Sequence, residues 1–215
     1  MELIRYSTLL IVILACVWIY CEQKRNTEFP AVETKKGKYY FRIMPVILAA
    51  MLVYLIWHNR ELSVFALWKA GSVLALVWLI AYVDYKVQLI PNRYLLAALI
   101  VRGIIFLFEL INAPARACTQ IISELLGGAM LLAFCFLLRI LSRKGMGMGD
   151  VKLFSVLPLF LGIWGGFRAL IYAMIIIFIQ SVVCLITKKK GKSDVIAFGP
   201  AIAGGVWIAV FISGL

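Results

Sequence analysis

Long apolar runs, separated by short polar stretches, set the architecture of this chain. The runs cover residues 7–21, 43–57, 64–83, 94–111, 121–141, 151–166, 169–187 and 196–213. A membrane-crossing helix needs about 20 predominantly apolar residues, with a range near 17–25. The pattern therefore predicts an all-α polytopic membrane protein with about eight transmembrane helices. Helix-breaking residues punctuate it: Pro30 and Gly37 between the first two runs, Pro91 after the third, Pro114 after the fourth and Gly145, Gly147 and Gly149 after the fifth. The organisation expected is a first span at residues 1–21, a short basic loop at 22–42 and a membrane-embedded core at 43–215. The first run lacks a small-x-small cleavage site, and a basic loop follows it, so it reads as a retained span.

Composition agrees with the pattern. The chain of 215 residues is 64% hydrophobic, with a mean hydropathy of +1.01. A soluble domain is about 45–50% apolar. The formal net charge of +12 would suggest nucleic acid for a soluble protein. Here the cations sit in loops on alternate sides. One side holds the loop 22–42, Lys86, Arg93, Arg143, Lys144 and the lysine run at 188–192. The other holds Arg60, Arg116 and Arg168. That asymmetry is the positive-inside pattern, so the basic side faces the cytoplasm of a cell membrane. The charge then speaks for contact with the lipid bilayer and against nucleic acid. An even span count puts both termini on the outer side. The five cysteines form no C-x-x-C pair and His58 is the only histidine, so no metal site is expected.

Two aspartates carry the chemistry. Asp84 ends the third apolar run, and Asp150 opens the sixth. The remaining aspartate, Asp194, lies in the lysine-rich loop. A carboxylate at a bilayer edge must be solvated, paired or functional. Taken singly, each reads as a solvated helix-end residue. Together they fall on the same, cytoplasmic, side of the span count. A pair of carboxylates can hydrolyse a peptide bond: the ionised one acts as base on water, and the protonated one donates to the scissile carbonyl. The glycines before Asp150 allow the backbone to approach a substrate strand closely.

The motifs around both aspartates resemble those of the prepilin leader peptidases, the Gly-x-Gly-Asp membrane aspartyl proteases that include preflagellin peptidases. Asp84 is followed by Ile90, Pro91 and Asn92. Gly147, Gly149, Asp150, Val151, Lys152 and Leu153 match Gly-x-Gly-Asp-Val-Lys-Leu. Phe198, Gly199 and Pro200 match a late Phe-Gly-Pro, with Ala197 where many members carry proline. The resemblance covers roughly residues 64–205. It implies Asp84 and Asp150 as the catalytic pair. It assigns Gly147, Gly149, Ile90, Pro91, Asn92, Lys152, Phe198, Gly199 and Pro200 to the loops that hold substrate. It further implies no cofactor, and type IV pilin-like precursors as substrates, cut after a short basic leader. Many bacterial members carry paired cysteines for zinc between their first two spans and also N-methylate the product. Here that interval is only residues 22–42, with Cys21 at its edge, so peptidase activity without methyl transfer is expected.

Two alternatives use the same carboxylates. Presenilin-like proteases share the Gly-x-Gly-Asp logic but carry a Pro-Ala-Leu motif, which this sequence lacks. A transporter or assembly factor would use the aspartates to bind protons or cations. Among other charged residues, Lys69 and Arg139 are expected to snorkel or pair structurally. Arg102 and Glu109 lie on a similar helix face, for pairing across helices or lining a wet cavity. Lys152 is expected as a headgroup anchor. Gly127, Gly128, Gly204 and Gly205 are expected at close helix contacts.

Overall fold

A computed structural model describes residues 50, 53–54, 63–142, 145–187 and 197–213. The first expected span, all of the second except residues 50 and 53–54, the loop 22–42, Arg143, Lys144 and the lysine run lie outside the described residues. Among the described residues the secondary structure is helical, with no strand. Six helices follow in order: α1 (Val64–Val87), α2 (Asn92–Asn112), α3 (Pro114–Leu141), α4 (Met148–Val156), α5 (Pro158–Ile186) and α6 (Gly199–Ser213). Four of these are long and apolar enough to cross a membrane: α1 through Val64–Tyr85, α2, α3 and α5. The chain is thus a multi-pass membrane protein with four candidate spans among the described residues. Their outer faces leave Leu96, Ile100, Leu107, Leu126, Leu137 and Phe178 exposed. So much contiguous apolar surface suits lipid rather than water.

Helix ends follow local chemistry. Gln88 adopts the left-handed region (φ 54) and ends α1, its N–H donating to the Asp84 carbonyl at 2.8 Å. Asp84 therefore lies within the last turn of α1, not just beyond it as the hydropathy pattern suggested. Pro91 is extended (φ −67, ψ 133) and caps α2, so Asn92 is the first helical residue. Pro114 and Pro158 open α3 and α5 at the position where a missing N–H costs nothing. Ala113 alone joins α2 to α3.

The expected break between the sixth and seventh apolar runs moves. The sequence pattern ends the sixth run at Gly165–Gly166, yet both residues are buried within helix. The non-helical residue is Gly162, at φ 71 and ψ 175. A uniformly apolar stretch gives hydropathy no way to locate such a break.

The chain divides into two compact units, Met1–Ala75 and Leu76–Leu215. The described part of the first is mostly the opening half of α1, where Phe65 and Trp68 pack edge to face. The second holds everything that follows. In it α4 packs against α2, α3 and α5, and α5 packs along α6. The centre of this unit includes Val151, Leu153, Phe154 and Leu157, all fully buried. The small-residue contacts expected there are present. A Cβ on Gly128 would stand 2.8 Å from the Ser155 carbonyl oxygen, and one on Gly205 would stand 2.6 Å from that of Ala169. At these points helix backbones approach more closely than any side chain would permit.

Candidate active site

Asp84 stands where α1 ends and α6 begins. Its side chain is 6% exposed, and its Oδ2 accepts the Gly199 N–H at 2.6 Å. Gly199 is the first residue of α6, so the carboxylate faces the positive end of that helix. The Phe198 amide acts on the same carboxylate. Only glycine fits here: a Cβ on Gly199 would lie 2.7 Å from the Asp84 Cβ and 3.2 Å from the Ala81 Cα. Pro200 follows within the first turn of α6, where its fixed φ suits a helix start.

Asp150 lies in the first turn of α4, whose cap is Gly147. Its Oδ2 accepts the Gly147 N–H at 3.2 Å, a turn closed within four residues. Burial pushes the Asp150 carboxyl up to about 7, and the negative charge of Asp84 pushes the same way. The bond from Gly147 opposes both. The two aspartates, 66 positions apart in sequence, thus sense one another electrostatically. Both belong to the second unit.

The remaining motif residues tie these segments together. A Cβ on Gly149 would lie 2.8 Å from the Cβ of Ile90, which is itself buried. The second glycine of Gly-x-Gly-Asp therefore makes room for the isoleucine of Ile-Pro-Asn. Lys152 Nζ donates to Asn92 Oδ1 at 3.1 Å, across 60 residues of sequence. That exposed bond replaces the headgroup anchor expected of Lys152. The Phe198 ring packs on Phe154 of α4, with centroids 5.8 Å apart. The three sequence motifs converge on one place, each touching at least one other.

Of the charged residues expected to snorkel or pair structurally, Arg139 pairs: its Nη1 donates to the Met146 carbonyl at 2.5 Å. Lys69 is buried. Arg102 pairs with Glu109 as its spacing suggested, at 3.0 Å, and also with Glu124 of α3 at 2.5 Å. The Glu124 contact had one available signal: Arg102 precedes and Glu124 follows Ala113 by the same number of residues, so a tight hairpin sets them at one depth. Nothing in the sequence singled out Cys135. It is fully buried on α3 and close enough to Asp150 for the two to interact electrostatically.

A family model described as the type IV leader peptidase family matches residues 71–187, more than half of the chain. The chain is 29% identical over 150 residues to a prepilin leader peptidase/N-methyltransferase of Bacillus subtilis (strain 168), covering 66% of this chain and 55% of that protein. It is 31% identical over 144 residues to the protein of the same name from Neisseria gonorrhoeae, covering 64% and 47%. With that of Pectobacterium carotovorum subsp. carotovorum the identity is 28% over 193 residues, covering 87% and 62%. The chain spans about half the length of the curated relatives it matches. No solved structure matches it.

Proposed function

Because the chain belongs to the type IV leader peptidase family, we propose that it is a membrane aspartyl endopeptidase with Asp84 and Asp150 as its catalytic pair. Its substrates are type IV pilin-like precursors, cut after a short basic leader at the cytoplasmic face of the cell membrane. The observation that carries this reading is the convergence of the motifs around both aspartates, with Ile90 against Gly149, Lys152 on Asn92 and the Gly199 N–H on Asp84; there Asp150 is raised to about 7 by burial and by Asp84. Near neutral pH such a pair holds one proton, which is what the reaction needs. Asp84, accepting the Gly199 N–H at Oδ2, serves as the base that takes a proton from water. Asp150 serves as the acid that donates to the scissile carbonyl oxygen. The resulting hydroxide-like oxygen attacks the carbonyl carbon, and the amine leaves once protonated.

Lys152, Asn92, Ile90, Pro91, Gly147, Gly149, Phe198, Gly199 and Pro200 frame the pair on this reading. The leader lies along the Gly-x-Gly-Asp loop, and the apolar helix of the precursor lies in lipid against the outer helix faces. The basic loops support a cytoplasmic site, and about eight spans remain the expected total. Cleavage without methylation is expected, since the interval 22–42 holds no cysteine pair for zinc. The deciding experiment is cleavage of a purified precursor by the full chain and by its Asp84→Asn and Asp150→Asn variants. Loss of cleavage in both, with normal insertion, supports the assignment; near wild-type cleavage in either ends it. Mass spectrometry of the new amino terminus reports any added methyl group.

A further inference from the structure

Arg102 sits midway along α2 and is 2% exposed. A guanidinium at that depth is costly unless its donors are satisfied. Nη2 and Nε lie 2.5 and 3.0 Å from Glu124 Oε2, and Nη1 lies 3.0 Å from Glu109 Oε2. Two carboxylates already exceed the single cation, so charge pairing is complete without another contact. Yet Nε also donates at 2.6 Å to the carbonyl of Leu159, in the first turn of α5.

Leu159 lies three residues before Gly162, whose φ of 71 and ψ of 175 interrupt the helical torsions of α5. Next to that interruption the Arg102 guanidinium adds a side-chain donor to the helix backbone. The first turn of α5 is moreover an extension of α4. Leu157 between them is helical (φ −56, ψ −42), donates to the Leu153 carbonyl at 3.2 Å and accepts from Leu161 at 3.0 Å. Residues 148–161 therefore form one rod with Asp150 near its start. Arg102 grips the far end at Leu159. Arg139 grips the near end at Met146, the residue before the Gly147 cap.

We propose that Arg102 and Arg139 are positioning residues that bracket this rod by its backbone and so fix where the Asp150 carboxyl stands opposite Asp84. The proposal rests on the peptidase reading. Both arginines act through the rod, on carbonyls at its two ends.

The test uses the purified full chain and a precursor with a basic leader and apolar helix. Arg102→Lys keeps a cation between the two glutamates but withdraws the fork that serves Glu124 and Leu159 together. A small displacement of the acid should lower kcat by about tenfold or more while KM stays within about twofold. The groups acting on Asp150 are Asp84 from α1, Cys135 from α3 and the Gly147 N–H of its own turn. If the rod loosens, Asp150 gains water and distance from Asp84. The alkaline limb of the pH profile then moves toward lower pH. Arg139→Gln should shift both readouts the same way and less. Wild-type kcat and pH profile in Arg102→Lys would mean that any cation suffices there, and would overturn the bracket. If Arg102→Lys does not accumulate, Arg139→Gln decides by the same criteria, at a half-buried position.

A second readout needs no substrate. With the other four cysteines changed to serine, Cys135 reports the seating of α4 through its reaction with N-ethylmaleimide. The Arg102→Lys protein, inserted and still folded, should label several-fold faster than its parent. Unchanged labelling overturns the bracket even if cleavage falls. A parent chain that cleaves nothing while the variant labels faster ends the peptidase reading and leaves the bracketed rod standing.

Discussion

Asp84 and Asp150 are held by opposite means. Asp84 is fixed from afar: Gly199, 115 residues later, brings a backbone N–H to 2.6 Å, and nothing larger than glycine fits there. Asp150 is fixed from nearby: Gly147, three residues earlier, donates at 3.2 Å. The first arrangement depends on helix packing, the second on one turn of backbone. A site can thus combine a carboxylate that only the complete fold positions with one that a short motif nearly positions alone. The short motif still needs its own turn to be placed, which is why the ends of α4 matter.

The largest effects should come from the carboxylates themselves. On the proposed mechanism each carboxylate transfers a proton, so Asp84→Asn and Asp150→Asn should each lower cleavage on the order of 10³-fold. Their stabilities should differ with pH, which sharpens the contrast. Asp150 is raised to about 7, so folding favours its protonated form. The stability this provides is full at acid pH, falls as pH rises toward about 7 and is gone above that. Asparagine never ionises. Asp150→Asn should therefore gain melting temperature relative to wild type, and by more at pH 8 than at pH 5. A gap that is constant with pH would contradict the shift.

Next come the two glycine contacts. Gly199→Ala drives a methyl group into Asp84 and the α1 backbone and should lower kcat on the order of 10²-fold with a loss of thermal stability. Gly149→Ala meets the flexible side chain of Ile90 as well as its Cβ at 2.8 Å, and should cost about tenfold. Equal losses in the two variants would mean that the contact beside Asp150 is as demanding as the one against Asp84. The smallest effect is expected from Lys152→Met. Its bond to Asn92 is exposed, and such bonds contribute about 1 kcal/mol or less, so cleavage should fall no more than severalfold.

The residues of this site were legible because their signals are short. Asp84 with Ile90, Pro91 and Asn92, and Gly147 with Gly149 and Asp150, each lie within a few positions, and turn-forming residues stand out against apolar spans. Their partners were not legible. That Gly149 makes room for Ile90, or that Lys152 reaches Asn92, follows from how α4 lies on α2, and one sequence does not encode that in any local pattern. The helical class and the spans of α1, α2 and α3 followed from hydropathy, which responds to length. The break at Gly162 did not, because a single backbone torsion leaves no trace in an apolar run. For Arg139, expected to snorkel or pair structurally, the sequence could not name the Met146 carbonyl as its partner.

The contact between Asp84 and Gly199 also sets an order of assembly. A ribosome delivers Asp84 long before Gly199, and helices enter the membrane from the amino-terminal side first. Throughout that interval the first carboxylate lacks its amide partner, however well α1, α2 and α3 have settled. A nascent chain that stops short of α6 carries both aspartates yet lacks the amide that holds Asp84 in the complete fold.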